Sequence, residues 1–394
     1  MLRSNTEKIG LFGGTFNPVH IGHTQAARLA AERLGLDKLI FIPAFNPPHK
    51  ALPEDSASAD MRLEMLRLAT QSMANIEVSD IEIRRGGVSY TADTVKALKE
   101  QYPSAEFWLL IGNDMLCSFE TWQSFDWLIE NASICALSRQ GDKSDLELCA
   151  KRLEEKHGVK TVFAQNNAIE ISSSQLREML RQRGGREYLD GEVYAFIIRN
   201  RLYGAKPEFD WLREKAKELL SERRVPHVIG CEQEAVRLAA HWGADEDSAR
   251  SAAILHDITK KLDLKEQLIL CEKYAIMTDT AESSNVKLLH SKTGAAIAGD
   301  IFGMPEEVCD AIKWHTTGRP GMSLLEKIIY IADYIEPGRD FPGVDILREA
   351  AYGDLDRAVL MGLEMSVISI EEQGIVPHQN TLSAIEHLKR SIKA

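Results

Sequence analysis

The chain of 394 residues has no apolar run approaching the roughly 20 residues that a membrane-spanning helix needs, which excludes a bilayer-embedded class. Its start, MLRSNTEKIGLFGG, has neither a long apolar segment nor a small-residue cleavage site, so secretion has no support and the cytoplasm is the expected compartment. Basic excess is also missing: 47 Lys and Arg stand against 59 Asp and Glu, a net charge of −12. A nucleic-acid-coating surface is thereby excluded, because such binding rests on neutralising phosphates, and any anionic substrate must be held locally. The six cysteines, Cys117, Cys135, Cys149, Cys231, Cys271 and Cys309, include no CxxC pair and no zinc-finger spacing. They read as buried small apolar residues in a reducing compartment. No internal repeat or low-complexity tract is present, which excludes an array. What is present is ample core material: 44% hydrophobic residues against 27% charged describes a globular chain, long enough for two domains.

From Lys8 to about Ala164, short apolar runs (KIGLFG, KLIFIP, EFWLLIG, ASICALS, VKTVFA) alternate with amphipathic stretches such as HTQAARLAAERLG. That alternation predicts an α/β domain with a parallel sheet and helices on both faces. Two further helices, from about Ser173 to Gln182 and from Asp190 to Arg199, close the unit. After Tyr203 the stretch GAKPEF brings Gly and Pro together, so the first domain is expected over residues 1–203, a linker over 204–208 and a second domain over 209–394. Beyond Phe209 the period changes to about 3.6, in WLREKAKELL, EQEAVRLAAHWG, SARSAAILHDITKKL and SLLEKIIYIADYI. The second domain is therefore expected to be all-α.

Two N-terminal motifs carry chemistry. In GLFGGTFNPVHIGH a strand runs into Gly13 and Gly14, and His20 and His23 open a helix. Glycines let a polyphosphate approach the backbone, and a helix start presents unpaired amides to anions. Residues three apart share a helix face, so both histidines can meet one ligand; the plainer alternative is two surface histidines beside a tight turn. In ISSSQLR, residues 171–177, three serines begin a helix and Arg177 sits in its first turns. Hydroxyls and the guanidinium fork suit phosphate oxygens, although the motif alone would be no more than a good helix cap.

Together with NPPHK at 46–50, SYTADT at 89–94, IGND at 111–114 and Trp122, these motifs resemble the bacterial nicotinate-nucleotide adenylyltransferases of the nucleotidyltransferase superfamily over nearly all of residues 6–203. The family usually has Thr where Ser174 stands, a change that keeps the hydroxyl. The resemblance implies a Rossmann-like fold that joins ATP and nicotinate mononucleotide into the dinucleotide and releases pyrophosphate, with magnesium bridging the ATP phosphates. It also implies that His20 and His23 contact those phosphates, Gly112 and Asp114 the ribose, and Ser173 and Arg177 the β and γ phosphates. Thr91 and Trp122 should line the pyridine pocket, and Lys50 should belong to a substrate loop. Trp122 has core packing as its alternative, and Lys50 a solvated loop charge. No nucleophilic side chain is needed, since the mononucleotide phosphate attacks the α-phosphorus and alignment does the rest. A class I aminoacyl-tRNA synthetase shares HIGH but would need a KMSKS-like loop and a basic surface, both missing. Pantetheine-phosphate and cytidylyl transfer share the fold and turn; SYTADT and NPPHK tip the choice.

The second half contains His227, His256, Asp257, His290, His315 and Asp333 over about a hundred residues of helical pattern. Imidazole and carboxylate are ligands for divalent metals, and a His-Asp pair inside AAILHDITK would otherwise bury polarity without a partner. His241, His378 and His387 keep the ordinary reading of satisfied or surface histidines. The segments VPHVIG, ILHDITK, LLHSKTGA and WHTTGRPGMSLLEKIIYIADYIEPGRDFPGV resemble the HD-domain phosphohydrolases, and among them the symmetrical diadenosine tetraphosphatases, over about residues 209–390. That resemblance implies a two-metal centre of iron, with manganese as the alternative, held by the six residues and bridged by Asp257. Lys260, Arg319 and Arg339 could neutralise polyphosphate, with surface charge as the alternative for each. Hydrolysis of another nucleotide, or a regulatory module that senses one without cleaving it, are the competing functions. The expected partners are small-molecule nucleotides (ATP, nicotinate mononucleotide, diadenosine tetraphosphate), without nucleic acid or membrane; a homo-oligomer is left open.

Overall fold

The structure, a computed structural model, describes residues 6–48, 51–138, 143–165 and 171–393. The chain divides into two compact units, Met1–Lys206 and Pro207–Ala394. Among the described residues no helix is long and apolar enough to cross a membrane.

The first unit is built on a six-stranded parallel sheet: β1 (Lys8–Gly14), β2 (Lys38–Pro43), β3 (Ile76–Val78), β4 (Glu106–Gly112), β5 (Ser133–Ser138) and β6 (Thr161–Gln165). The strand order is β3-β2-β1-β4-β5-β6. The strands read as continuous apolar runs because helices cover both faces, and Ile9, Ile40, Phe41, Leu109, Ile134 and Ala136 are buried accordingly. Five of the six were legible as such runs. β3 was not, since its three residues are too few to show a period.

The strand order runs outward in opposite senses from β1 and β4, and open parallel sheets bind ligands at such a switch point, beyond the carboxyl ends of the strands. Here the crevice is visible in the register. β1 pairs with β4 only as far as Leu11 and Leu109, yet it follows β2 to Gly14 and Pro43, and β4 follows β5 to Gly112 and Leu137. The last three residues of the two central strands therefore part from each other, and both strands end in glycine.

The second unit is helical throughout its described residues, as the 3.6-residue period predicts. Its helix Leu324–Ile335 is apolar all round, with Ile328, Ile329, Tyr330, Ile331 and Ala332 all buried, which marks a helix surrounded by others. A Ser323–Glu326 capping box fixes its start, and Asp333 sits in its last turn. Pro226 stands in the first turn of the helix Val225–Trp242, where its missing N–H is no loss, so it does not displace His227 from the helix.

The cysteine expectation needs correction. Cys135, Cys231 and Cys271 are buried and Cys309 is half-buried, none of them in a disulfide, but Cys117 and Cys149 form a disulfide across a Cα separation of 5.2 Å. The pair is 32 residues apart and meets only because the helices Asn113–Cys117 and Lys143–His157 pack together, which spacing cannot show.

Each unit has its own buried core, so separate expression of residues 1–206 and 207–394 should give two fragments that each unfold cooperatively on heating. Calorimetry of the fragments checks this, and two fragments without a cooperative transition would contradict it.

Candidate functional site

In the first unit, a cleft of about 210 Å³ occupies the switch-point crevice, and Gly13, Gly14, Gly112, Thr91 and Trp122 all line it. Neither Gly13 nor Gly112 needs a left-handed backbone, and a Cβ built on either would meet no atom within 4 Å. Their bareness serves no packing need of the protein itself; it leaves room for a ligand. Trp122 follows the turn Phe119–Thr121 and packs edge-on against Phe119 with ring centroids 5.0 Å apart, which holds its plane at the cleft wall. Asp114 is exposed, two residues beyond Gly112. Lys50 lies outside the described residues.

The turn after β1 is made by Phe16, at φ 49°, and not by the glycines. His20 caps the helix Ile21–Leu34, and its ring lies 3.7 Å from that of His23, centroid to centroid. The ISSSQLR helix, Ser173–Arg181, joins this loop from more than 150 residues away: Ser173 Oγ donates to Pro18 O at 3.0 Å, and Arg177 Nη1 to Asn17 O at 2.8 Å. Ser172, not Ser173, caps that helix, with Gln175 completing the capping box. The loop that leads into His20 and His23 is thus also held by Ser173 and Arg177 of the later helix.

In the second unit the six expected ligands come together, the other five gathered around Asp257, which has no exposed surface. Its Oδ2 lies 3.3 Å from His256 Nε2 and 3.7 Å from His227 Nε2; its Oδ1 lies 3.2 Å from His290 Nε2 and 3.7 Å from His315 Nε2. Asp333 Oδ1 joins the first half, 3.0 Å from His227 Nε2. One carboxylate therefore faces two pairs of imidazoles through two different oxygens. The far nitrogens of three rings are committed: His256 and His315 place Nδ1 2.7 Å from Ala253 O and Ile312 O, and His227 Nδ1 lies 3.1 Å from Glu336 Oε1. Nδ1–H donation to a carbonyl or carboxylate leaves Nε2 with its lone pair facing the cluster, as a ligand needs. Gly230 makes room for Glu336, because a Cβ there would stand against Glu336 Oε2.

Electrostatics agree with this donor set. Burial pulls the His290 imidazole down to about 4 and lowers His315 as well, which favours the neutral, metal-binding form. Burial alone would raise Asp257 and Asp333, but the imidazoles of His256, His290 and His315 around the first, and His227 and His256 around the second, hold both carboxyls well below their ordinary range. Lys260 Nζ adds a contact to Asp257 Oδ1 at 3.1 Å, and Arg224 pairs with Oδ2. Arg339 is at the site too, bonded to Asp333 Oδ1 at 2.6 Å. Arg319 is placed differently: Glu326, at 2.6 Å, and Asp310 hold its guanidinium, and it makes no contact with the six ligands among the described contacts.

Residues 11–179 match the family profile described as Cytidylyltransferase-like, and residues 224–338 match the HD domain. A protein described as "Probable nicotinate-nucleotide adenylyltransferase" from Neisseria meningitidis serogroup C (strain 053442) is 47% identical over 136 residues, covering 34% of this chain and 68% of that protein. One with the same description from Gloeobacter violaceus is 38% identical over 199 residues, covering 50% of this chain and 96% of that protein. The chain belongs to the nicotinate-nucleotide adenylyltransferase family. Its second unit is an HD domain. A crystal structure described as a predicted HD superfamily hydrolase involved in NAD metabolism, from Clostridium acetobutylicum, is 40% identical, covering 48% of this chain and 100% of that chain, with a TM-score of 0.46.

Two supports of the adenylyltransferase site escape motif reading. Asn17 is a hub: its carbonyl takes Arg177, its Oδ1 accepts from Tyr203 Oη at 2.8 Å and from Ala57 N at 3.2 Å, and its Nδ2 donates to Ser56 Oγ. Arg62 is fully buried and donates to Thr15 O, Ala57 O and Phe45 O, tying together the loops that follow β1 and β2. The signal for Arg62 lies in its helix, Ala59–Thr70, where it falls at i of an i, i+3, i+4 stripe whose other members, Met65 and Leu66, are buried. In the HD domain the missed residues are Glu336, Arg224 and Arg223. The two arginines line a basic groove of about 650 Å³ with Lys260, Lys261, Leu220 and Ser221, and two of its cations, Arg224 and Lys260, pair with Asp257.

Arg62→Ala should remove the donor shared by three loop carbonyls, one buried and two half-buried, and lower the stability of the first unit by about 3 kcal/mol. Thermal unfolding of that unit measures it; a change within experimental error would contradict the supporting role of Arg62.

Proposed function

We propose that this chain is bifunctional: its first unit transfers the adenylyl group of ATP to nicotinate mononucleotide in NAD biosynthesis, and its HD domain hydrolyses diadenosine tetraphosphate to two ADP. The observation that carries the first half is the cleft at the parting of β1 and β4, with bare glycines on its floor, Trp122 on its wall and a cationic loop at its edge. The mononucleotide phosphate attacks the α-phosphorus of ATP, and pyrophosphate leaves with the electrons of the broken P–O bond. Gly13 and Gly14 admit the triphosphate, and Gly112 and Asp114 meet the ribose. His20 and His23 hold the phosphates as charge develops; Ser173 and Arg177 hold the β and γ groups. Thr91 and Trp122 receive the pyridine ring, Trp122 by stacking. Imidazoles and a guanidinium are poor donors for a hard, oxygen-seeking ion, so magnesium enters as the ATP complex.

The observation that carries the second half is Asp257, whose two oxygens face separate imidazole pairs. Four imidazoles and two carboxylates fit two divalent ions, iron by resemblance with manganese as the alternative: His227, His256 and Asp333 would hold one, His290 and His315 the other, and Asp257 both. When bound, such ions supply a hydroxide nucleophile and neutralise phosphoryl oxygens. The protein's part is to hold the substrate. Arg224 and Lys260, with Arg223 and Lys261 behind them, offer four cations along one groove to a polyphosphate chain. Arg339 fixes Asp333 in place. Because this groove reads phosphate charge and not a base, hydrolysis of another polyphosphate nucleotide is the second reading. A sensing module would have no use for the complete ligand set.

Incubation with magnesium, ATP and nicotinate mononucleotide should yield deamido-NAD, with nicotinamide mononucleotide used much less well. His23→Ala should slow turnover by about 100-fold or more while the fold persists. Wild-type turnover in that variant would remove His23 from the reaction.

Asp257→Ala should abolish cleavage of diadenosine tetraphosphate and lower bound metal while leaving adenylyl transfer intact. Chromatography of the products distinguishes two ADP from ATP plus AMP; the latter pair would move the scissile bond, and no cleavage by fully metallated protein would favour a different nucleotide.

A further inference from the structure

The helix Val225–Trp242 carries two donors one turn apart: His227 and Cys231 stand at i and i+4 and so share a face. Cys231 is 1% exposed, and its Sγ lies 3.8 Å from His227 Nε2. His256 Nε2 is 3.3 Å from the same nitrogen, and Asp333 Oδ1 is 3.0 Å from it. The four donor atoms of His227, Cys231, His256 and Asp333 all lie within 4.8 Å of one another. Adjacent donors bonded to one ion at ~2.0–2.3 Å lie roughly 3–4 Å apart. Three edges at His227 already fall near that range. The thiol faces imidazole and carboxylate, not the aliphatic surroundings that a cysteine kept only for its apolar bulk would have.

We propose that Cys231 is a metal ligand: its sulfur joins His227, His256, Asp333 and the Oδ2 oxygen of Asp257 in a mixed nitrogen, oxygen and sulfur set for a borderline or soft divalent ion such as zinc or ferrous iron. Coordination releases the thiol proton to solvent and leaves a metal-bound thiolate. The other half of the cluster, His290 and His315 with Asp257 Oδ1, offers nitrogen and oxygen alone. The two halves are therefore chemically unequal. The sulfur-containing half selects softer ions, and the other half tolerates harder ones such as manganese. This inference rests on reading the cluster as a metal centre, and its test separates the two.

The full chain is stripped of metal, loaded with cobalt(II), and followed by metal analysis and near-ultraviolet absorption, alongside Cys231→Ser and Cys231→Val. The expected result is an intense thiolate-to-cobalt charge-transfer band in the unsubstituted protein that is lost in both variants, while both keep the native far-ultraviolet circular dichroism. Bound cobalt without such a band, or a band that persists in the variants, overturns the role of Cys231 and leaves the metal centre standing. If the chain binds no cobalt, iron, manganese or zinc, the metal centre itself is wrong and Cys231 falls with it.

Discussion

A carboxylate removed from water must be neutralised by its neighbours, and the helical unit is arranged around that need at Asp257. The residue sits just past the end of the helix Glu246–Leu255, where four other segments deliver His227, His290, His315 and Asp333 to it. Those segments are held in turn by polar contacts of their own. Glu336 fixes the His227 ring and accepts from Gly338 N at 2.6 Å, and Arg339 clamps Asp333. Packing alone would tolerate many arrangements of these apolar helices. A buried charge with five ligand-type neighbours tolerates few, so the polar cluster and the fold specify each other.

The first unit meets the same constraint with a different result. Two of its buried polar groups give a rigid shape to the irregular chain between β1 and the helix Ile21–Leu34: Arg62 donates to loop carbonyls, and Asn17 accepts from Ala57 N and Tyr203 Oη and donates to Ser56 Oγ. Phe16 is held in a left-handed conformation there by aromatic neighbours, with ring centroids 5.5 Å from Phe12 and 5.7 Å from Phe41. A loop fixed in this way needs no ligand to order it, and the same contacts hold His20 at the start of its helix and Arg177 against the Asn17 carbonyl.

Much of this was legible before the structure, and the reasons differ by residue. The glycines, His20, His23, Trp122 and the six metal-type ligands are conspicuous because their chemistry is out of place in its local context: a His-Asp pair in AAILHDITK is costly to bury without partners. Strands and helices followed from periodicity. What stayed hidden depends on tertiary neighbours. Arg224 and Arg223 read as an ordinary charged run in SERRVPH until the fold sets them beside Lys260 and Lys261; Arg319 reads as a free loop cation until Glu326 is seen to hold it. Asn17 was hidden inside a motif already explained by its histidines. The Cys117–Cys149 pairing has no sequence signature, since it depends on the close approach of two helices.

The division of labour between the two oxygens of Asp257 is the most consequential claim, and anomalous diffraction from crystals of the full chain loaded with manganese or iron tests it directly. The expected result is two anomalous peaks per chain, one beside His227, His256 and Asp333 and one beside His290 and His315, with the Asp257 carboxylate between them. A single peak, or none beside fully ordered imidazoles, would contradict it.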